Sequence, residues 1–310
     1  MGALRLLMVT DTKALSGAAF ATLLLIALMM GANHVAARFA FNNGVDVLTA
    51  VSARSVVTAM VLALILWGGR VPLAFSARHR LFLPAIGLVI TAQSICLYSS
   101  VARLPVALAL LAFNTYPLST ALWARALYGH RPERALLVAI PFLLLGLSLA
   151  LDVSGAISGL GALAHWQEIG VGVAFAFAAS AFFGLALVLT QHETSELDGR
   201  VRTFTTMLTV GVLASTAVAL NGGIHWPTAD AGWIGLGLLT FLYGTGFTIL
   251  FTVLPRLGVV GNSAIMNVEP VFDLMMAWAF LDQKISWIQV LGALIVVATV
   301  MGLGLRKSRA

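Results

Sequence analysis

Ten apolar runs, each long enough to cross a bilayer, decide which solvent this chain folds in. They fall at about 16–41, 46–67, 81–102, 104–127, 134–152, 168–191, 202–221, 232–254, 258–281 and 287–305. A hydrocarbon core about 30 Å thick needs roughly 20 apolar residues of helix. Inside it, backbone N–H and C=O groups must find their partners within the protein, and a helix supplies them locally. The expected fold class is therefore an all-α membrane protein with ten transmembrane helices. Only 10% of the residues are charged and mean hydropathy is +0.99, whereas about a quarter of a soluble domain is charged. The first run is too long for a signal-peptide core and no cleavage site followed by soluble sequence is evident, so it reads as a first membrane helix.

A second constraint comes from repetition. The stretch Arg103 to Arg131, RLPVALALLAFNTYPLSTALWARALYGHR, returns as Arg256 to Lys284, RLGVVGNSAIMNVEPVFDLMMAWAFLDQK. At an offset of 153 (256 − 103), Arg103, Leu104, Val106, Asn114 and Pro117 fall on Arg256, Leu257, Val259, Asn267 and Pro270. Gly17 and Gly31 likewise fall on Gly170 and Gly184. Each copy holds five helices, an odd number, so the second is inserted upside down. The expected organisation is a first repeat over 1–152, an external connection over 153–167 and a second, inverted repeat over 168–310. Inverted repeats are recurrent in secondary transporters, with the substrate site near the midplane where the repeats meet.

Lys and Arg set the orientation. With a cytoplasmic N-terminus, thirteen of the 18 basic residues fall inside and only Arg103 and Lys284 outside, the asymmetry that fixes topology. Both termini are expected in the cytoplasm. The net charge of +6 is spread over short loops, so it marks topology and does not suggest a nucleic-acid partner. Cys96 is the single cysteine and excludes an internal disulfide framework.

Polar residues set deep in apolar runs are costly and therefore informative. Pro117 and Pro270 each remove a helix hydrogen bond, and Asn114 and Asn267 stand three residues before them, placed to donate to loosened carbonyls. Two readings stay open: a fixed structural kink in each half, or a hinge. Glu269, Asp273 and Asn262 share one face of the ninth helix within about 40° at 100° per residue. Ionisable groups at that depth are candidates for function. They would carry a proton, hold an ammonium group, or tie neighbouring helices. Arg54, about two turns into the second helix, and Arg38, one turn beyond His34 on the first, would bind a carboxylate or snorkel to the interface. His34, with Asn33 beside it, reads as a proton relay or as a packed histidine. Gln93, Tyr98 and Ser100 on the third helix complete a mixed polar and aromatic lining with Asn114 and Tyr116, Phe182 and Phe183, and Tyr243. Such a lining suits an amphipathic small molecule. No histidines show metal-ligand spacing, and no nucleophile elbow or phosphate-cradling loop occurs. No catalytic residues, metal, cofactor or ATPase subunit are expected.

The segment Ala109 to Leu127, the pair Glu269–Pro270 and the ending QVLGALIVVATVMGLGL resemble the EamA-type transporters of the drug/metabolite transporter superfamily over nearly the whole chain. That resemblance implies ten helices in two inverted five-helix repeats and export of a hydrophobic metabolite. Within the superfamily the overall texture is similar to bacterial aromatic amino-acid exporters. Where the family often ends its fourth and ninth helices with Gly-Glu and a basic residue, this chain has Gly129-His130-Arg131 and Asp282-Gln283-Lys284. Any role of those glutamates does not carry over. The resulting expectation is a monomeric inner-membrane exporter working in the lipid bilayer by alternating access, with an amino acid as its small-molecule substrate. An exporter of lipophilic or quaternary-ammonium compounds is the alternative.

Overall fold

The computed structural model describes residues 17–130, 134–152, 162–252, 269–281 and 286–307, and among these described residues there are eleven helices and no strand. They are α1 (Gly17–Asn42), α2 (Val47–Gly68), α3 (Ala77–Val101), α4 (Val106–Phe113), α5 (Tyr116–Tyr128), α6 (Arg134–Ala150), α7 (Ala162–Glu193), α8 (Gly199–Leu220), α9 (Asp230–Thr252), α10 (Glu269–Leu281) and α11 (Trp287–Lys307). Among the described residues seven apolar stretches are long enough to cross a membrane, with α4 and α5 together counting as one. Among the described residues Val138–Ala150 of α6 and Trp287–Thr299 of α11 are shorter apolar stretches, and with α10 they complete the two five-helix repeats.

Local sequence explains most of the boundaries. Asp46 accepts from the Thr49 amide at 2.8 Å and starts α2. Ser76 and His79 form a reciprocal capping box, which starts α3 at Ala77 and not at 81 as the hydropathy suggests. Asp198 caps α8 through the Arg200 amide at 2.8 Å. Helix α7 begins at Ala162, ahead of the expected 168, because nothing in ALAHWQEI breaks a helix. Threonines inside the spans return their hydroxyls to carbonyls one turn back, as Thr58 does to Arg54 and Thr91 to Gly87, both at 2.7 Å. No hydroxyl proton is left bare in lipid by such a bond.

The fourth apolar run is interrupted three residues before its proline. Helix α4 stops at Phe113 and α5 starts at Tyr116, with Pro117 in its first turn, where the missing N–H costs little. The Asn114 side-chain amide donates to the Leu110 carbonyl at 2.7 Å, which also accepts from the Asn114 backbone amide at 2.8 Å and is not the Phe113 carbonyl that Pro117 would loosen. Thr115 bonds the Ala112 carbonyl at 2.7 Å and the Ser180 hydroxyl of α7 at 3.0 Å. The break is thus a pinned joint. Asn262 and Asn267, the second half's polar residues ahead of its proline, lie outside the described residues, and so does any kink there; Pro270 is the second residue of α10.

Packing follows the repeat. α1 lies on α9 while α3 lies on α7; α2 pairs with α8 and α6 with α11. Exchanging the two halves converts the first pair into the second and returns each of the others to itself, as expected of two inverted five-helix repeats. At the α6–α11 crossing, a Cβ on Gly146 would stand 2.8 Å from the Gly292 carbonyl and one on Gly292 would stand 2.5 Å from that of Gly146. Only glycine admits that approach, the usual route to tight helix contact in lipid.

Candidate functional site

α1, α2, α3, α9 and α10 bring the chemically expensive residues of the chain together. Arg54 on α2 is 4% exposed. Its guanidinium donates to the Tyr98 hydroxyl at 3.0 Å and to the Ser94 hydroxyl at 2.7 Å, both on α3. The same group lies 4.4 Å from the centre of the Tyr98 ring and 4.0 Å from that of Tyr243 on α9. Taking a cation out of water costs several kcal/mol, and here π faces and hydroxyls offset it in place of an anion. Among the described residues no carboxylate lies within 4.0 Å of Arg54, and its Nε has no hydrogen-bond partner.

From Arg54 the network runs to α1. The Tyr98 hydroxyl in turn donates a hydrogen bond to Asn33 Oδ1 at 3.1 Å. The next residue, His34, meets the Tyr98 ring edge-on, with centroids 6.3 Å apart. Its Nδ1 stands 3.6 Å from Glu269 Oε1 in the first turn of α10. One turn further along α10, Asp273 is completely buried and among the described residues neither of its oxygens has a hydrogen-bond partner. It lies against Gly31 of α1, where a Cβ would come within 2.7 Å of Oδ1. The Glu269 side chain is different, at 25% exposure. The two carboxylates therefore have separate positions: Glu269 reachable, Asp273 sealed behind it.

The repeat makes this arrangement more telling. At the offset found in the sequence, His34 corresponds to Leu187, Arg54 to Met207, Ser94 to Phe247, Asn33 to Ala186, Glu269 to Tyr116 and Asp273 to Thr120. Every member of the charged network thus has an uncharged and mostly apolar counterpart. The packing is retained: a Cβ on Gly184, the partner of Gly31, would meet the Thr120 backbone nitrogen at 2.6 Å. On that side Phe113, Tyr116 and Phe183 form an aromatic cluster with centroid separations of 5.0 to 5.7 Å. The two sides meet. Tyr243 lies between Arg54 and the Met207 sulfur, with the guanidinium 4.0 Å from its ring centre and its hydroxyl pointing to the sulfur at 3.7 Å.

Other residues singled out from the sequence lie nearby or elsewhere. Gln93 is buried beside the network, accepting from Ser94 at 3.3 Å. Asn114 is buried but committed to its own helix. Arg38 is apart from Arg54: it donates to the Val101 carbonyl at 2.8 Å. With Asn42, Arg103, Pro105 and Leu281 it lines a cavity of about 280 Å³ at the helix ends. Ser94 escaped the sequence reading, and Gly31 entered it only as a match between the repeats. Ser94 precedes Tyr98 by four residues and so shares its face, a signal that was there to use. At the opposite end, Glu193 of α7 bonds both Arg78 of α3 and Tyr128 of α5, while His192 stacks on Tyr128 at 3.9 Å and meets His130 Nε2 at 3.3 Å. Glu193 and its partners join three helix ends, and nothing in the spacing announced that.

The comparisons with known proteins agree with this architecture. A solved structure, described as the crystal structure of a protein, superposes with a TM-score of 0.59 at 17% identity, covering 93% of this chain and 98% of its own. At that identity the likeness speaks for the fold alone. No curated protein matches the chain. The model of the EamA-like transporter family matches twice, over residues 16–151 and again over 170–305, one copy for each five-helix half. A multi-pass membrane protein built as two such repeats, with ionisable side chains gathered where they meet, belongs to the EamA-like transporter family.

Proposed function

We propose that this transporter exports amino acids, aromatic and other apolar ones favoured, across the bacterial inner membrane. It works by alternating access through a central cavity between the repeats. One observation carries the reading: among the described residues a buried arginine with no carboxylate beside it and a reachable carboxylate with only His34 near it stand at the two ends of one contiguous group of side chains, Arg54, Tyr98, Asn33, His34 and Glu269. Their pairing with a zwitterion would neutralise both. Arg54 takes the carboxylate, and Glu269 takes the ammonium because Asp273 is sealed from solvent. Tyr116, Phe113 and Phe183, the aromatic side of the repeat, receive the side chain.

The remaining expectations fit this carrier. Both termini are cytoplasmic on the Lys/Arg asymmetry, and the repeats span 1–152 and 168–310 with 153–167 outside. The cavity at Arg38 and Arg103 then opens outward. Asn114–Thr115 with Pro117, and Pro270 with Asn267, are the joints about which helices rock. A monomer suffices, with no catalysis, cofactor or ATPase.

Counterflow tests the proposal. Proteoliposomes holding purified protein and loaded with unlabelled phenylalanine are expected to accumulate labelled phenylalanine saturably. Absence of saturable accumulation for every amino acid tried would reject the substrate class. The buried carboxylates also favour a second reading, export of lipophilic cations. A quaternary ammonium compound that exchanges while phenylalanine does not would establish it instead.

A further inference from the structure

We propose that His34, Glu269 and Asp273 form a binding site for a divalent first-row transition-metal ion of the manganese-to-zinc class. One donor atom from each residue lies within 4.8 Å of the other two, and His34 Nδ1 to Glu269 Oε1 is 3.6 Å. Four tetrahedral ligands at a zinc-type bond length of about 2.0–2.1 Å stand roughly 3.3 Å apart. Movement of a few tenths of an ångström brings His34 and Glu269 to that spacing, and the Asp273 oxygen, within 4.8 Å of both, moves by at most about 1.5 Å (4.8 − 3.3) to complete the set. The second observation is independent of the clustering. Asp273 is wholly buried and, among the described residues, neither of its oxygens has a hydrogen-bond partner. A carboxylate in a membrane interior with no donor is a group whose partner is missing.

Chemistry narrows the partner. Two ionised carboxylates carry two negative charges, so a divalent ion makes the set neutral and a sodium ion does not. An imidazole nitrogen among the donors favours manganese-to-zinc ions over magnesium and calcium, which take oxygen ligands. The residues come from two helices, α1 and α10, so the ion would fasten one to the other at the place where Gly31 lets Asp273 approach. The site does not depend on the transport reading, although both use Glu269. A metal ion and a substrate ammonium would therefore compete for that residue.

Cobalt(II) titration of the purified, tag-free, metal-stripped protein tests the site. Visible d–d absorption saturating at one equivalent is expected, displaced by zinc and not by excess sodium or magnesium. Asp273→Asn and His34→Ala are expected to weaken binding at least tenfold. His192→Asn, which removes half of the other histidine pair, should leave it unchanged. No cobalt absorption in folded wild-type protein, or the same absorption in Asp273→Asn, overturns the proposal. Should either variant fail to fold, X-ray absorption of the zinc-loaded wild type decides. One imidazole with oxygen donors supports the site, and two imidazoles or sulfur reject it. Phenylalanine counterflow in metal-free buffer reports separately on the transport reading, so either conclusion can fail alone.

Discussion

Replacing Arg54 by methionine is expected to damage recognition of the substrate carboxylate while leaving the helices in place. Methionine has nearly the length of the arginine stem, and the two hydroxyls that lose a donor each keep a partner. Tyr98 still donates to Asn33 at 3.1 Å and Ser94 to Gln93 at 3.3 Å. Loss of the two cation–π contacts, at 4.4 and 4.0 Å, is offset in part because the desolvated charge leaves with them. The substrate loses one charge-assisted pair, about 1.5–3 kcal/mol. At about 1.4 kcal/mol per factor of ten, the half-saturating concentration of phenylalanine in counterflow should rise roughly 10- to 100-fold. Phenylalaninamide lacks the carboxylate and is the control. Its inhibition of counterflow should hardly change in the variant. Equal losses for both compounds would refute the assignment of Arg54 to the carboxylate.

Glu269→Gln is expected to act in the mirror sense, weakening phenylalaninamide and phenylalanine alike while sparing 3-phenylpropionate, as read by competition in the same assay. Gly184→Ala should lower thermal stability more than Gly31→Ala in a thermal-shift measurement. The first methyl group meets the α5 backbone at 2.6 Å and the second meets only the Asp273 and Met276 side chains, at 2.7 and 2.9 Å, and overpacking costs about 1–3 kcal/mol when neighbours do not yield. Glu193→Gln should loosen the joined ends of α3, α5 and α7, giving faster amide exchange at Tyr128 and Arg78 than in wild type. The Arg200 side chain and the first backbone amides of α8 hold the Asp198 carboxyl below its usual range. Its stabilising contribution is complete above the unfolded value of about 3.9 and disappears as pH falls through the lower folded one. Asp198→Asn should remove that acid-limb dependence from thermal melts.

Much of this was legible in the sequence, for reasons that can be named. The bilayer forces every apolar run into helix, so the spans follow from composition. The repeat follows from matched Asn and Pro positions. Glu269, Asp273 and Arg54 were conspicuous because charge in lipid demands an explanation. Proximity across the fold was not legible. His34 and Glu269 are near each other only because α1 packs on α10, and no spacing along the chain encodes that. The missing metal-ligand spacing was a fact about sequence order alone. The break at Asn114–Thr115 also escaped, since attention to Pro117 predicts a kink at the proline, whereas the side chains of Asn114 and Thr115 end α4 first.

The central claim is that one neighbourhood holds both charges of a zwitterion. Counterflow of phenylalanine by the wild-type protein, challenged in parallel with phenylalaninamide and 3-phenylpropionate, tests it most directly. If Arg54 and Glu269 each hold one end, phenylalanine exchanges saturably and each single-charge analogue competes at least tenfold more weakly. A cation that competes as well as phenylalanine, or is carried in its place, would contradict the claim and leave the carboxylates as a site for cations alone.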